Sequence, residues 1–192
     1  MLIPDPISEY LGLSSLRAER LGVVLDRLEG RCLDIGAQDN LLLQLYQNRQ
    51  TAVPAEDAAN SVGVDVVDWG GDCVILPTSD NLPFPDASFD TVSFVACLNH
   101  IPERRGALVE AHRVLKPDGR VLVTMINRFV GGISHRLRWW GEHSHRDVHD
   151  DEDDGLRHRE TISYLEDAGF VRIETQPFFY GLNRLYLGYL RS

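Results

Sequence analysis

The stretch Arg31-Cys32-Leu33-Asp34-Ile35-Gly36 decides the fold that we predict for this chain. Its apolar residues indicate a short buried strand, which ends at an acidic residue and a glycine. A helical pattern follows at residues 40–46. In open α/β sheets, a strand that ends in this way and leads into a helix forms a ligand crevice at the carboxyl edge of the sheet. Because Asp-x-Gly occurs by chance in many chains, the order of the features that follow carries the prediction.

The composition is that of one globular domain. The chain has 192 residues, of which 43% are hydrophobic and 25% charged, and this length can bury a sizeable core. Its net charge of −10 at pH 7 repels phosphate backbones, so we expect no nucleic-acid partner. The three cysteines, Cys32, Cys73 and Cys97, lie far apart and form no disulfide or metal pattern. With no signal-peptide pattern and no apolar run near the ~20 residues that span a bilayer, we expect a cytoplasmic protein without a transmembrane segment.

Apolar spacing and turn residues divide the chain into four segments. Residues 1–30 form a lead-in with a helix over 14–28, and residues 31–126 form a core of alternating strands and helices. The predicted strands of the core are 31–36, 61–65, 73–76, 89–95 and 120–126. Its other predicted elements are helices over 40–46 and 103–115 and a loop over 51–60. Only about half a dozen residues separate the second and third strands, which leaves no room for a crossover helix.

The remaining two segments follow the core. Residues 127–158 form an irregular segment, and residues 159–192 supply a closing helix over 159–168 and a pair of strands over 171–175 and 185–190. Strands that alternate with helices predict a parallel sheet with right-handed crossovers.

Three sequence blocks in the core occur in a fixed order. They are Asn81-Leu-Pro-Phe-Pro-Asp-Ala-Ser-Phe-Asp90, Asn99-His100-Ile101-Pro102 and Arg113-Val-Leu-Lys-Pro-Asp-Gly-Arg120. Together with the two acid-ended strands, they make residues 31–126 resemble the class I S-adenosylmethionine-dependent methyltransferases. The resemblance implies a Rossmann-like, three-layer αβα sandwich with a seven-stranded, mostly parallel sheet and an antiparallel C-terminal hairpin. It also implies S-adenosylmethionine as the cofactor.

The same resemblance assigns roles at the ends of the strands. Asp34 corresponds to the family's acid near the ammonium group of the cofactor, unless it caps the following turn. Gly36 lets the backbone approach the methionine part of the cofactor, where a side chain would collide. Asp65 corresponds to the acid that binds both ribose hydroxyls, although Asp68 or Asp72 could take its place. The residues that we expect at the cofactor site are Asp34, Gly36, Ala37, Gln38, Asp65, Val66, Thr78, Ser79, Asp80, Val95, Ala96 and Cys97.

The chain departs from the family pattern at two points of this site. The family's first loop is Gly-x-Gly-x-Gly, whereas this chain has Gly36-Ala-Gln-Asp-Asn40. Asn40 tolerates a positive φ, but Gln38 places a long side chain where the family brings backbone close to the ligand. The acid that holds the adenine amino group is expected at Thr78, and Asp80 stands two positions later, so either residue could serve.

Methyl transfer requires alignment of the reacting groups and removal of a proton from some acceptors. His100, just past the fourth strand, is the candidate base, with the capping of the next helix as the alternative role. We expect His112 to be an exposed residue of the helix over 103–115.

Residues 127–158 are expected to cover the acceptor. Aromatic and basic residues mix within 128–140, which favours a substrate lid over the alternative of contact with a membrane surface. The histidines of the following acidic stretch fit no standard metal spacing, so we predict no metal site; they are His143, His145 and His149.

We therefore predict a methyltransferase that acts on a small-molecule or lipid-linked sugar acceptor. Residues 178–186 resemble the endings of methyltransferases of surface-polysaccharide and lipid-linked sugar pathways, which favours a glycolipid acceptor. Gln38 and Thr78 motivate the alternative, a catalytically degenerate binding or scaffold protein. A nicotinamide-dependent dehydrogenase fits poorly, because Gly-x-Gly-x-x-Gly is missing after the first strand. The apolar last strand forms an edge that a second copy could cover in a homodimer.

Overall fold

The computed structural model describes residues 16–49, 55–126 and 156–191, which form alternating helices and strands. The helices are α1 (Leu16–Leu25), α2 (Leu41–Gln47), α3 (Ala55–Ala59), α4 (Arg104–Val114) and α5 (His158–Asp167), with a 3-10 turn at Leu98–His100. The strands are β1 (Cys32–Ile35), β2 (Val62–Asp65), β3 (Val74–Ile75), β4 (Phe89–Val95), β5 (Leu115–Ile126), β6 (Val171–Phe178) and β7 (Asn183–Tyr189).

The seven strands form one sheet in the order β3-β2-β1-β4-β5-β7-β6. The first five of these are parallel, and β7 is antiparallel to both of its neighbours, β5 and β6. This arrangement confirms the predicted fold class. The chain order reverses at β1, which pairs with β2 on one side and β4 on the other. In open α/β sheets, ligands bind outside the carboxyl ends of the strands at such a switch point.

Apolar side chains cover both faces of the sheet. On β7, Leu185 and Leu187 belong to the core cluster of α1 and α2, whereas Tyr186 between them belongs to the cluster of α4 and α5. Alternate residues of a strand point to opposite faces, so helices pack on both sides and make three layers. The buried residues of α4 lie on one side of the helix at helical spacing; they are Ala107, Leu108, Ala111 and Val114.

Two element predictions were wrong. Residues 51–60 were predicted as a loop, yet Ala55–Ala59 is a helix. Three of its five residues are alanine, the strongest helix former, and Glu56 and Asp57 lie in its first turn, where negative charge is favourable. The fifth strand begins at Leu115 instead of residue 120, because Leu115 already pairs with Phe89.

The other predicted elements of the core agree with the structure to within a few residues. Residues 116–119, between the predicted helix and the predicted fifth strand, form an irregularity inside β5, where Asp118 has a φ of 64°. As expected, β2 and β3 are parallel with no helix between them in residues 66–73. Within the described ranges, no helix combines the length and the apolar character that crossing a bilayer requires.

Most of the predicted lid, residues 127–155, lies outside the described residues, as do residues 1–15. His143, His145 and His149 lie there too, so the absence of a metal at these histidines stays a prediction. Leu156, near the end of the predicted lid, is described and is buried in the cluster of α4 and α5.

Candidate functional site

The residues that follow β1, β2 and β4 lie side by side at the carboxyl edge of the sheet. Ile35 pairs with Val64 on one side and with Phe94 on the other. The next residues of each strand, Gly36, Asp65 and Val95, therefore meet at one place. The fold thus brings together three of the predicted stretches, residues 34–38, 65–66 and 95–97.

Asp34 is a buried carboxyl group at this edge, with 2% of its surface exposed. The hydroxyl of Ser93 donates a hydrogen bond of 2.6 Å to its Oδ1. Burial raises the pKa of Asp34 to about 7, because desolvation disfavours the charged form more than the Ser93 hydrogen bond favours it, and the charge of Asp65 acts in the same direction as burial. The carboxyl group therefore titrates near neutral pH, and a cation placed beside it would favour its charged form.

Asp65 is held between two loops. Its Oδ2 accepts a hydrogen bond of 2.9 Å from the backbone N–H of Gln38, and its Oδ1 accepts one of 3.0 Å from that of Val67. The alternatives, Asp68 and Asp72, are exposed in the loop between β2 and β3, where Asp68 binds the N–H of Gly70 in its own turn. Of the three, Asp65 alone lies at the end of a strand, and its carboxylate accepts the N–H of Gln38 in the loop after β1.

Gly36 lies so close to Cys97 that a side chain there would collide with it. Its φ is +74°, and a Cβ there would lie 2.7 Å from the Cβ of Cys97. The thiol of Cys97 donates a hydrogen bond of 2.9 Å to the carbonyl of Ile35. Burial raises the pKa of this thiol well above its usual value, so it stays protonated. The glycine was expected to make room for a ligand, and the structure shows that it also makes room for the loop after β4.

The two departures from the glycine pattern keep the loop in the left-handed region. Gln38 has a φ of 52° and Asn40 one of 59°. The side chain of Gln38 is exposed, while its backbone N–H binds Asp65 and its carbonyl accepts a hydrogen bond from the thiol of Cys73. Asn40 is buried and donates from Nδ2 to the carbonyl of Asp72. The loop after β1 is thus attached to the loop after β2 at three points.

Thr78 and Asp80, the alternatives for the adenine side, act as a pair. The Thr78 hydroxyl donates a hydrogen bond to the carboxylate of Asp80, and both side chains are half-buried, as is Ser79 between them.

The two histidines of the core lie in different places. His100 ends the 3-10 turn that follows β4, and its backbone N–H binds the carbonyl of Cys97 at 2.8 Å. Its ring Nε2 lies 3.1 Å from Nδ2 of Asn99. His112 was predicted to be exposed, which is wrong: its half-buried ring packs against that of Phe170, with 5.6 Å between the ring centroids. His112 lies near the other end of α4 and takes no part in the site.

Sequence reasoning missed two polar residues that support the site. Ser93 binds Asp34, and Thr124 accepts hydrogen bonds from the N–H of Ala96 at both its hydroxyl and its carbonyl oxygen. Ala96 has a φ of 54°, so Thr124 fixes an uncommon backbone shape after β4. Both residues are fully buried inside apolar strands. A buried polar side chain needs a hydrogen-bond partner. A serine or threonine inside an apolar strand was therefore the sequence signal for these contacts.

Comparison with known proteins places the same region in one family. The model of a methyltransferase domain matches residues 33–123. A demethylmenaquinone methyltransferase of Geobacillus kaustophilus is 29% identical over 125 residues, which cover 57% of this chain and 53% of that protein. A ubiquinone biosynthesis O-methyltransferase of Idiomarina loihiensis is 27% identical over 164 residues, which cover 74% of this chain and 66% of that protein. The chain thus spans about half to two thirds of the length of these relatives.

A solved structure supports the fold. A SAM-dependent methyltransferase of Thermotoga maritima, described as a possible histamine N-methyltransferase, aligns with a TM-score of 0.64 over 90% of this chain and 88% of its own. The two sequences are 20% identical, so the likeness concerns the fold alone.

Proposed function

The chain belongs to the class I S-adenosylmethionine-dependent methyltransferases, and from this premise we propose that it transfers a methyl group to a small-molecule acceptor. The family and its cofactor, both predicted from the sequence, are confirmed by the methyltransferase-domain match. Both curated relatives are named as methyltransferases. The activity of this chain, its acceptor and the roles of its residues are proposals.

One observation carries the proposal. Asp65 accepts the N–H of Gln38, and the loop after β1 keeps left-handed φ values at Gln38 and Asn40. The missing glycines were one of two reasons to consider a degenerate scaffold, and Thr78 in place of an acid was the other. The loop keeps the shape that glycines favour and the side chain of Gln38 is exposed, so the first reason loses its weight.

The cofactor site that we propose uses the two carboxylates at the ends of β1 and β2. Asp65 would bind the ribose hydroxyls, with Val66 beside it, and Asp34 would face the ammonium group. The loop at Gly36, Ala37 and Gln38 would lie along the methionine part. The remaining members are Thr78, Ser79 and Asp80 at the adenine and Val95, Ala96 and Cys97 at the methionine and methyl group.

S-adenosylmethionine supplies a methyl group on a sulfonium that needs no further activation. The protein therefore has to exclude water and align the acceptor, whose lone pair forms the new bond to the methyl carbon while the carbon–sulfur bond breaks and its electron pair stays on sulfur. Where the acceptor carries a proton, we propose that His100 removes it, since the 3-10 turn that ends at this residue follows β4 at the same edge.

The acceptor that we propose is a small apolar ring compound such as a quinol. The names of the two relatives support this class. The lipid-linked sugar favoured by residues 178–186 is the second candidate. Four further expectations stay predictions: the lid over 127–158, membrane contact through 128–140, a homodimer and a cytoplasmic location.

The test begins with calorimetric binding of S-adenosylmethionine and S-adenosylhomocysteine to the purified chain. We expect Asp65→Ala to weaken binding about 100-fold, because a carboxylate with charge-assisted hydrogen bonds is lost. Asp68→Ala, which removes the same charge from an exposed turn, should stay within about twofold. Wild-type protein that binds neither ligand at millimolar concentration would overturn the enzyme and leave the scaffold.

The acceptor is tested separately with radiolabelled methyl donor and two panels, reduced quinols and lipid-linked sugars. Transfer to a quinol that His100→Ala slows with little change in cofactor affinity would support both the acceptor class and the base. Transfer to the sugars alone would correct the acceptor class and keep the methyltransferase.

A further inference from the structure

The loop over residues 78–86 is attached to helix α4 by a network of charged hydrogen bonds. The backbone N–H of Leu82 donates to Oε2 of Glu110 at 2.8 Å. The guanidinium of Arg113 donates to the carbonyls of Leu82 at 3.1 Å and Phe84 at 2.8 Å. It also binds both carboxylate oxygens of Glu110, at 2.8 and 2.7 Å, and Oδ1 of Asp86 at 2.7 Å. Two side chains of one helix thus hold both sides of the Leu-Pro-Phe turn.

Partial burial shields the Glu110–Arg113 pair of this network from solvent and salt. The side chains of Glu110 and Arg113 are 15% and 31% exposed. The hydrogen bond from Arg113 lowers the pKa of Glu110, which keeps its carboxylate charged at neutral pH. Leu82 is buried, and the ring of Phe84 packs edge-on against that of Phe89 at 5.1 Å. The turn therefore has polar and apolar attachments that fix its position.

A second contact joins the same helix to the start of the loop. A Cβ on Gly106 would lie 2.7 Å from the Cβ of Asp80. Gly106 lies in the first turn of α4, and glycine is a weaker helix former than alanine, so this position forgoes some helix stability for the contact. Gly106, Glu110 and Arg113 follow one another at spacings of four and three residues, which places them on one face of α4.

We propose that this face of α4 positions the adenine side of the cofactor site. Gly106 sets how close Asp80 and its partner Thr78 lie to the helix, and Glu110 and Arg113 fix the turn that follows. The proposal rests on the proposed function. None of the three is a catalytic residue; each acts through the backbone or side chains of residues 78–86.

The first test compares two glycine substitutions in helices. In Gly106→Ala the new methyl group meets Asp80, whereas in Gly22→Ala of helix α1 it meets nothing within 4 Å. Both changes replace a helical glycine with alanine, a stronger helix former. We expect Gly106→Ala to weaken S-adenosylhomocysteine binding about tenfold, the cost of one displaced hydrogen bond to a charged group. Gly22→Ala should change it less than about twofold.

A ligand lacking the adenine amino group separates positioning from general damage. In S-inosylhomocysteine an oxo group replaces that amino group. With this ligand, even the wild-type protein cannot form the hydrogen bond to the amino group that Gly106→Ala is expected to displace. The loss caused by Gly106→Ala should therefore fall below about twofold with this ligand. Equal losses with both ligands would assign Gly106 to stability and overturn the proposal.

A second pair of variants covers the case in which Gly106→Ala does not fold. Arg113→Lys keeps the charge but loses the planar fork that joins Glu110 to two carbonyls. Its control is Arg105→Lys on the same helix, which alters an exposed ion pair with Asp167 of α5. We expect Arg113→Lys alone to raise the KM for the methyl donor several-fold while kcat stays within about twofold.

The outcomes distinguish the two proposals. Wild-type protein that binds no S-adenosylhomocysteine would overturn the proposed function and this inference with it. Wild-type protein that binds, together with variants of Gly106 and Arg113 that bind as well as their controls, would overturn this inference alone.

Discussion

The two halves of the sheet present different chemistry at the same edge. On the side of β1 and β2, buried carboxylates stand at the strand ends, at Asp34 and Asp65. On the side of β5 and β7, Ile126 is exposed at the end of β5, and Tyr180 in the turn before β7 is 91% exposed. Because Ile126 pairs with Asn183 at the start of β7, this turn lies at the carboxyl edge too. One half suits a cationic ligand, and the other suits an apolar one.

The halves also differ in how their loops are built. The loops after β1 and β2 bind each other through Gln38 with Asp65 and through Asn40 with Asp72. The turn between β6 and β7 has two successive left-handed residues, Phe179 at 48° and Tyr180 at 55°, and it presents an aromatic ring to solvent. The difference shows that one sheet edge combines a fixed polar cradle with exposed apolar surface. Under the proposed function, the charged cofactor would lie against the polar side and an apolar acceptor against the aromatic side.

The largest effect that we expect on the acidic side is a dependence of stability on pH. The pKa of Asp34 in the folded protein is about 7, above its ordinary value of 3.8. The folded state thus binds more protons between these values, so the stabilisation is complete below about pH 4 and is lost as pH rises through 7. Since one pKa unit is worth about 1.4 kcal/mol, the free energy of unfolding should fall by about 4 kcal/mol from this group.

Urea unfolding between pH 4 and 8 measures this dependence. Asp34→Asn should flatten the profile, whereas Asp26→Asn, at an exposed carboxylate paired with Arg49, should leave it as in the wild type. Identical profiles for the two variants would mean that ionisation of Asp34 does not change the free energy of unfolding. The electrostatic contrast between the two halves of the sheet would then be wrong.

The next effect concerns the joint between the loops after β1 and β4. Gly36→Ala combines a positive φ with a clash against Cys97, and we expect it to destabilise the fold by about 3 kcal/mol. Gly70→Ala is the matched control, because Gly70 has a φ of +76° but nothing within 4 Å of an added Cβ. It should cost about 1 kcal/mol, the backbone strain alone. Equal losses on thermal unfolding would show that Cys97 does not restrict this loop.

The acidic side was predictable from the sequence because its signals are local. A strand followed by an acid and a glycine is legible within six residues, and Asp34 and Asp65 lie at the edge where the pattern placed them. The short link between β2 and β3 was predictable for the same reason, since a helix needs more residues than that link contains.

The supporting contacts were not predictable because they join residues far apart in the chain. Ser93 reaches Asp34 across 59 positions, and Glu110 reaches Leu82 across 28. A single sequence shows a serine in an apolar strand and a glutamate on a helix, but only the register of the sheet shows what each one meets. His112 was misjudged for this reason, since Phe170 covers it from a different element.

The smallest effect that we expect tests the aromatic side. Tyr180→Ala should change the free energy of unfolding by less than about 0.5 kcal/mol, because an exposed side chain loses little on truncation. Its affinity for S-adenosylhomocysteine should stay within about twofold of wild type, since the turn lies beyond β5 and away from Asp34 and Asp65. The KM for the methyl acceptor should rise several-fold, because an aromatic ring contributes roughly 1 kcal/mol to a stacked contact. A loss of cofactor binding in this variant would mean that both ligands use the same half of the edge.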